Sequence, residues 1–303
     1  MSAIPPEKGD ICAVVVTYFP DASFKNYLAE IRTQVDTTII VDNGSGGAPL
    51  AMLRSLADET VSLFELGRNT GLGSALNYGI EKAKSREYAW VILFDQDTLP
   101  INDMTLCFSG ILKDYPKPRD VALIGSKFLD RNKLPHLPPR DKAHDPTLWM
   151  EKKRVITSGT LVSIDAFEAI GPFREDFFID SIDHEYCHRA HRKGWKILKS
   201  SQPLISHSVG NYKKHRLLWL DIWRSHHSAM RCYFMARNQI LIAWEYRQYA
   251  KLFRGGLKVL KNMFYILLFE EDKLNKIKAS LAGYADGIMN KAAMPGWIQR
   301  DIK

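Results

Sequence analysis

The sequence predicts an α/β fold with a mostly parallel, doubly wound sheet, and three observations lead to that prediction. Strand-like and helix-like segments alternate through the first hundred residues, which is typical of parallel sheets. Residues 90–94 are apolar throughout, which suits a strand that is buried on both faces. Polar and acidic clusters follow the predicted strands, at the sheet edge where such proteins bind ligands.

The first half of the chain supplies four predicted strands and three helices. Residues 11–18 are a β-branched run that Pro20 closes, and they form the first strand. The other strands are predicted at residues 37–41, 61–66 and 90–94. The helices are predicted at residues 22–33, 49–57 and 71–84, and the last of these has apolar residues on one stripe.

The second half contains fewer regular signals. Residues 130–153 are rich in proline, charge and histidine, and they predict a loop. Further elements are predicted as a strand at 155–164, a short helix at 165–170 that Asp165 begins, a charged helix at 181–193 and a strand at 195–198. From Leu217 onward the pattern changes, and we expect long helices. The predicted domains are therefore 1–210, with parts 10–98 and 99–210, and a helical C-terminal region at 211–303.

The composition of the 303 residues is globular, with 46% hydrophobic and 25% charged residues. The four cysteines are scattered without a Cys-x-x-Cys pair, so the sequence indicates neither a zinc site nor a disulfide framework. No apolar run approaches the roughly 20 residues that span a bilayer, and the polar N-terminus does not resemble a signal peptide. We therefore expect a protein of the reducing cytoplasm.

The net charge of +8 is concentrated near the C-terminus. Residues 186–303 carry 22 Lys and Arg against 7 Asp and Glu, whereas residues 1–110 carry 8 against 14. Within residues 211–280 basic and apolar side chains interleave. Such a region can pack on the catalytic domain or on a second copy in a homodimer, or it can lie peripherally on an anionic membrane. Nucleic acid is disfavoured because no nucleic-acid motif is present.

Candidate binding residues follow each of the four N-terminal strands, and strand ends of a parallel sheet share one edge. They are Thr17, Tyr18, Asp42, Arg68, Asn69, Gly71, Asp95, Gln96 and Asp97. Asp42 can accept a hydrogen bond from a base or a ribose hydroxyl, or it can cap a turn. Asn69 and Gly71 precede a helix, whose N-terminus favours phosphate.

Asp95 and Asp97 are the most informative pair. Two acids at positions i and i+2 of a continuing strand share one side of the chain. Their hard oxygen ligands suit Mg²⁺ or Mn²⁺, and a bound divalent cation implies an anionic partner such as a diphosphate. The alternative is a pair of solvated loop acids, which the apolar strand before them disfavours.

Four motifs resemble, in order and spacing, the motif series of family 2 glycosyltransferases. They are CAVVVTYFP at 12–20, VDNGS at 41–45, NTGLGSALN at 69–77 and FDQDT at 94–98. The resemblance covers about residues 10 to 245 and implies inverting enzymes with the GT-A fold. The Asp-Gln-Asp form is most similar to the rhamnosyltransferase branch, so Gln96 points toward rhamnose as the donor sugar.

The resemblance also implies roles in the second half of the chain. Ser158 and Gly159 match the family's loop near the donor sugar and the acceptor. Residues 178–189 match its acidic motif, where Asp183 aligns with the catalytic base. The family usually has Glu-Asp there, but Ile182 precedes Asp183 in this chain, which leaves Asp180 as a rival.

Two further matches complete the implied site. Glu185 aligns with a second acidic position that orients the acceptor or a neighbouring cation. His207 aligns with a histidine that approaches the metal or the diphosphate, although a lone histidine can equally be structural. The pair Arg237 and Asn238 matches a family pattern whose role stays open.

The function implied is transfer of L-rhamnose from dTDP-β-L-rhamnose to a hydroxyl of a surface-polysaccharide or lipopolysaccharide acceptor, which can be lipid-linked. Asp183 would accept the proton of that hydroxyl, and Mg²⁺ or Mn²⁺ on Asp95, Asp97 and His207 would neutralise the leaving diphosphate. Alternatives are a UDP-hexose or UDP-N-acetylhexosamine donor, or a non-catalytic nucleotide-sugar-binding partner. A dehydrogenase is disfavoured because the first strand lacks a Gly-x-Gly-x-x-Gly loop.

Overall fold

The computed structural model describes residues 5–130, 148–207, 213–217, 220–291 and 294–299. The chain divides into two compact units. The first comprises residues 1–175 and 186–208, and the second comprises residues 176–185 and 209–303. The segment that carries the acidic motif therefore groups with the C-terminal part of the chain.

The first unit is built on a nine-stranded sheet. Its strands are β1 Ile11–Thr17, β2 Thr37–Asp42, β3 Val61–Glu65, β4 Trp90–Asp95, β5 Leu99–Pro100, β6 Val121–Asp130, β7 Trp149–Glu151, β8 Thr160–Ser163 and β9 Lys196–His207. Along the sheet the order is β3-β2-β1-β4-β8-β6-β9-β5, and β7 pairs with β9. Strands β3, β2, β1 and β4 are parallel neighbours, whereas β8 is antiparallel to β4. The predicted mostly parallel sheet is confirmed.

Helices connect these strands. They are α1 Phe24–Gln34, α2 Gly47–Leu56, α3 Leu72–Lys84, α4 Met104–Asp114, α5 Ile164–Ile170 and α6 Ile182–Arg192, with short 3₁₀ turns at Lys8–Asp10 and Pro118–Asp120. Strand β1 shows why both faces of the sheet are covered. Val14 packs directly against Gly79 of α3. A Cβ added at Gly79 would clash with Cγ1 of Val14. Its neighbours Ala13 and Val15 belong to the core on the opposite face, with Phe24 and Leu28 of α1.

The register of the first strands positions the candidate residues. Thr17 lies opposite Asp42, and Asp42 lies opposite Glu65. Asp95, at the end of β4, lies opposite Val16. Three of the four polar clusters therefore begin at the same level of the sheet, as the alternating pattern predicts.

Two strands predicted in the second half of this unit are present with different bounds. The strand predicted at 155–164 is regular only over Thr160–Ser163, because Gly159 has a left-handed backbone (φ +69°) that interrupts an extended chain. The strand predicted at 195–198 continues to His207. Of the predicted loop 130–153, residues 131–147 lie outside the described part of the chain, and residues 149–151 form β7.

Within the described residues of the second unit there are a hairpin and four helices. The hairpin is β10 Lys213–Leu217 with β11 Leu220–Arg224, and the helices are α7 Ala229–Glu245, α8 Tyr249–Phe269, α9 Lys273–Ile288 and α10 Gly296–Gln299. The expectation of helix from Leu217 onward is therefore wrong for residues 220–224, which pair with residues 213–217 as an antiparallel strand. Among the described residues, no helix is both long and apolar enough to cross a membrane.

A buried cluster unites this second unit. It contains Phe178, Ala229, Cys232, Tyr233, Phe234, Ile266, Ala279 and Ile298. Phe178 comes from the acidic-motif segment and stacks on Phe234 of α7 with ring centroids 5.2 Å apart. The acidic motif is thus anchored to α7 by a core contact as well as by the polar contacts described below.

Candidate active site

Asp42 organises the turn that follows β2. Its Oδ1 accepts hydrogen bonds from Thr17 Oγ1 at 3.2 Å and from Ser45 Oγ at 2.5 Å, and its Oδ2 accepts one from the Ser45 amide at 2.8 Å. The Phe19 amide in turn donates to Ser45 Oγ at 2.7 Å. Asp42 is buried, so its carboxylate ties the ends of β1 and β2 into one rigid corner.

The turn after β3 is joined to the same corner by two asparagines. Asn43 Nδ2 donates to Asn69 Oδ1 at 3.0 Å, and Asn43 Oδ1 accepts from the Thr70 amide at 2.8 Å. Asn69 Oδ1 also accepts from the Gly71 amide at 3.0 Å, which places Gly71 at the N-terminus of α3. Sequence reasoning chose Asn69 and Gly71 but missed Asn43 and Ser45, which link the two turns.

Gly44 allows these turns to approach each other. A Cβ at this position would lie 2.4 Å from the Arg68 carbonyl carbon and 2.6 Å from the Asn69 amide nitrogen, and its φ is +96°. A residue with a side chain would push the two turns apart, because the obstacle is backbone. The side chain of Arg68 itself is exposed at this edge.

Gln96 links the acidic turn after β4 to the end of β1. Its Oε1 accepts a hydrogen bond from the Tyr18 amide at 2.7 Å. Asp95, Gln96 and Asp97 are all partly exposed. Strand β4 ends at Asp95, so Asp97 lies in the following turn and not on a continuing strand. The structure therefore brings the turns after β1 to β4 together through hydrogen bonds, as the sequence predicts.

Ser158 and Gly159 lie beneath this acidic turn. Ser158 is buried, and its Oγ accepts from the Asp95 amide at 3.1 Å and lies 2.5 Å from Thr98 Oγ1. The Gly159 amide donates to the Leu93 carbonyl at 2.7 Å. In this structure both residues support the turn that carries Asp95 and Asp97, and the Ser158 hydroxyl faces that turn rather than solvent.

The residues after β4 fit a divalent cation in part. Two partly exposed carboxylates at positions i and i+2 are the kind of donor set that holds Mg²⁺ together with substrate phosphates. The side chain of His207 lies outside the described part of the chain. Among the described residues no group of three His, Cys, Asp or Glu side chains is gathered around one point.

Asn77 and Gly73 fix α3 to the segment that precedes the acidic motif, and neither was predicted to do so. Asn77 Nδ2 donates to the Phe173 carbonyl at 2.9 Å, and the Phe173 amide donates back to Asn77 Oδ1 at 2.8 Å. A Cβ on Gly73 would lie 2.6 Å from the Arg174 carbonyl oxygen. The close spacing of small residues in the 69–77 motif is the sequence signal for this packing.

In the second unit, Asp183 is the second residue of α6, and its surroundings favour the protonated carboxyl. Burial raises the pKa of Asp183, and the negative charge of Asp180 raises it further, although His184 and its backbone amide act in the opposite direction. The His184 amide donates to Asp183 Oδ1 at 2.7 Å. Asp183 nevertheless keeps part of its surface in contact with solvent, and a partly accessible carboxylate of raised pKa is a stronger base than a free one.

Asp180 has a different environment. Arg231 of α7 holds both of its oxygens, with Nη2 to Oδ1 at 2.7 Å and Nε to Oδ2 at 3.1 Å. A bidentate guanidinium engages both oxygens of this carboxylate, and that pairing would have to be weakened for Asp180 to accept a proton. Of the two rival acids, the structure therefore favours Asp183 as the candidate base.

Glu185 is fully buried at 0% exposure. Its Oε1 accepts a hydrogen bond from the Tyr246 hydroxyl at 2.9 Å. This contact fixes the first turn of α6 to the end of α7 within the second unit. In this structure Glu185 is thus placed to support the segment around Asp183 rather than to contact an acceptor.

Arg237 and Asn238, whose role the sequence left open, hold the acidic-motif segment. Asn238 Nδ2 donates to the carbonyls of Phe177 at 3.0 Å, Ile179 at 2.9 Å and Asp180 at 2.8 Å. Arg237 is fully buried and donates to the Asp176 carbonyl. The segment needs such support because Phe178, Asp180 and Ser181 have φ values of +59°, +66° and +65°.

Comparison with known proteins places residues 12–160 in the sequence family described as glycosyl transferase family 2. The chain is also 29% identical to the dTDP-rhamnosyl transferase RfbF of Shigella flexneri, over 92% of this chain and 95% of that protein. The matched range 12–160 contains the strand-end turns described above.

Two solved structures share the fold. The mannosyltransferase PcManGT from Pyrobaculum calidifontis superposes with a TM-score of 0.54 at 15% identity, over 98% of this chain and 79% of that one. GalNAc-T7 superposes with a TM-score of 0.54 at 15% identity, over 77% of this chain and 47% of that one. At this level of identity the likeness concerns the fold, and it agrees with the α/β architecture predicted from the sequence.

Proposed function

We propose that this chain is a family 2 glycosyltransferase that transfers L-rhamnose from dTDP-β-L-rhamnose to a hydroxyl of a saccharide acceptor, with inversion of configuration. The match of residues 12–160 to the family supports the reaction class. The observation that carries the donor assignment is the near full-length similarity to a dTDP-rhamnosyl transferase. The Asp-Gln-Asp form of the acidic turn supports it. The proposed acceptor is a surface polysaccharide or lipopolysaccharide, and its lipid-linked form would be met in the cytoplasm.

The donor binds, in this proposal, at the connected turns after β1 to β4. The N-terminus of α3 at Gly71 and the exposed side chain of Arg68 supply positive potential for the diphosphate. A carboxylate has about four acceptor positions, and protein groups occupy three of those of Asp42. The fourth is left for a base N–H or a ribose hydroxyl, so both interpretations of Asp42 hold together.

Asp95 and Asp97 would hold the divalent cation, with His207 as a further proposed ligand. A bound Mg²⁺ or Mn²⁺ supplies charge neutralisation for the departing nucleoside diphosphate. The similar PcManGT and GalNAc-T7 structures were both solved with Mn²⁺. The hydrogen bonds of Gln96 and Ser158 hold the backbone of this turn in place.

Asp183 would act as the general base. A sugar hydroxyl is a poor nucleophile near neutral pH, and the Asp183 carboxylate would accept its proton as the oxygen attacks the anomeric carbon. The pKa of Asp183, raised chiefly by burial, strengthens it for this task. Arg231 engages both oxygens of the neighbouring Asp180, so this proposal assigns the proton to Asp183.

Nucleotide selectivity tests the proposal before any acceptor is known. Thermal-shift titration of the purified protein with dTDP and with UDP, each with Mn²⁺ and again after chelation with EDTA, should give a stronger shift with dTDP that EDTA reduces. Stabilisation by a ligand follows its affinity for the folded state. A stronger shift with UDP would favour the alternative UDP-sugar donor, and a shift that is insensitive to EDTA would remove the metal from the proposal.

A further inference from the structure

Helix α8 carries an apolar stripe on its exposed side. The exposed fractions are 58% for Tyr249, 73% for Phe253, 54% for Leu257, 59% for Leu260, 55% for Phe264 and 50% for Leu267. These residues recur every three or four positions, so at roughly 100° per residue they share one sector of the helix. A continuous row of large exposed apolar side chains is unusual for a surface that meets only water.

The other two sectors of α8 differ from this stripe. One packs inside the second unit, where Ile266 is buried in the core cluster and a Cβ on Gly256 would lie 2.8 Å from the Tyr284 hydroxyl. The remaining sector is basic and adjoins the apolar stripe, with Arg254, Lys258 and Lys261 exposed. Helix α8 contains four basic residues and no acidic residue.

We propose that this face of α8 binds an anionic lipid surface, lying in the interface with its apolar stripe in the acyl boundary and its basic sector on the headgroups. A purely basic border is complementary to anionic headgroups. The same basic sector is unfavourable for pairing with a second copy of α8. Two α8 helices in contact would bring their lysines and arginines together, and α8 itself supplies no carboxylate to pair with them. At about 1.5 Å per residue, the 21 residues of α8 could lie along a membrane surface. The proposal does not depend on which sugar nucleotide is the donor.

Vesicle co-sedimentation of the full-length protein tests this surface. We expect binding to phosphatidylcholine vesicles that contain phosphatidylglycerol, little binding to phosphatidylcholine alone, and partial release by added salt. The double change Arg254→Gln with Lys261→Gln should lower the partition coefficient on the order of 30-fold at low salt. Phe253→Ser with Phe264→Ser should lower it at least on the order of 10-fold.

The control lies on the neighbouring helix. Leu274 of α9 is 83% exposed and Lys273 is exposed beside it, so Leu274→Ser with Lys273→Gln removes the same chemistry from another surface and should leave binding unchanged. Circular dichroism and a cooperative thermal unfolding transition show that each variant is folded. Equal binding by the α8 variants and the wild type would overturn the proposal. The proposal would also be overturned if the wild-type protein did not bind anionic vesicles but formed a dimer, and if the double change Phe253→Ser with Phe264→Ser dissociated that dimer.

Discussion

The environment of a single carboxyl, Asp183, accounts for the chemistry that we assign to this enzyme. Asp183→Asn preserves the shape of the side chain but cannot accept a proton. We expect its turnover to fall by at least on the order of 100-fold, with dTDP binding unchanged. Steady-state kinetics and a dTDP titration measure the two effects, and Asp180→Asn is the matched comparison. Loss of turnover in Asp180→Asn with near-normal turnover in Asp183→Asn would move the base to Asp180.

Because the pKa of Asp183 is raised, we expect the thermal stability of the protein to depend on pH through this residue. Burial makes the pKa of Asp183 higher in the folded state than in the unfolded state. The stabilisation from such a carboxyl is fully present at pH values below its unfolded pKa. It is lost as the pH rises through its folded pKa. Asp183→Asn removes the buried charge, so its Tm should exceed that of the wild type near neutral pH. The difference should shrink toward acidic pH. A Tm difference that does not change between acidic and neutral pH would contradict the assigned environment.

Sequence reasoning at the residue scale was strongest where the motif residues lie at the strand ends. It predicted Thr17, Asp42, Asn69 and Gln96, and the structure joins their turns by hydrogen bonds. It could not separate Asp180 from Asp183, because that distinction depends on Arg231, which lies 51 positions away from Asp180. Nor could it show that Ser158 is buried, since burial depends on the path of distant strands.

At the scale of elements, α7 and the acidic-motif segment act as one piece. Asn238→Leu removes three hydrogen bonds to the backbone of residues 177–180, and of these carbonyls that of Phe177 keeps the hydrogen bond from the Ile179 amide. We expect a loss of about 1 to 3 kcal/mol in the free energy of unfolding. We also expect kcat to fall on the order of 100-fold, because a small displacement of the base is costly.

The KM for the donor should change little in this variant, because the donor site is proposed at the strand ends of the first unit. Gln239→Leu is the control, since the neighbouring amide contacts Lys258 instead of the acidic segment. Kinetics and denaturant unfolding give both readouts. Normal kcat in Asn238→Leu would mean that the segment holds its conformation without α7.

Glu270 connects the hairpin to α9 through buried ion pairs. It is 3% exposed and pairs with Arg224 at 2.8 Å and Lys276 at 3.0 Å. Burial alone would raise the pKa of Glu270, but hydrogen bonds from Arg224 and Lys276 outweigh it and lower the pKa. Its stabilising effect is therefore present above its unfolded pKa and lost as pH falls through the lower folded pKa.

Glu270→Gln leaves these two cations without their carboxylate partner. We expect the free energy of unfolding to fall by about 3 kcal/mol, measured by denaturant titration near neutral pH. The gap to the wild type should close in acid. Glu271→Gln changes an exposed neighbour and should be nearly neutral. Equal stability of the two variants at neutral pH would contradict a structural role for the buried pairs.

The same scale shows which elements the sequence could predict. Strands β1 to β4 are runs of β-branched and aliphatic residues between turn signals, and their bounds were predicted to within one or two residues. Part of the hairpin at 213–224 was predicted to be helical. The reason is that its basic and apolar residues were grouped with those of α7 and α8. Strand β9 extends far beyond its apolar start, because pairing with β6 supplies the hydrogen bonds that its polar residues need.

For the whole molecule, the uneven charge matches the proposed division of tasks. The N-terminal residues are acidic overall and supply the proposed metal ligands, whereas residues 186–303 carry a net charge of +15 from 22 basic and 7 acidic residues. A basic C-terminal part suits both an anionic lipid surface and acceptors that carry phosphate. Composition alone predicted this asymmetry, but only the exposed fractions along α8 show which residues would form the contact.

A panel of sugar-nucleotide donors tests whether this chain transfers rhamnose. Purified protein with Mn²⁺ is incubated with dTDP-β-L-rhamnose, UDP-glucose, UDP-galactose and UDP-N-acetylglucosamine, and release of the nucleoside diphosphate is measured with and without acceptor extract. Asp183→Asn serves as the inactive control. We expect the turnover of dTDP-β-L-rhamnose to be well above that of each UDP-sugar. Turnover of a UDP-sugar with no turnover of dTDP-β-L-rhamnose would contradict the proposed rhamnosyl transfer.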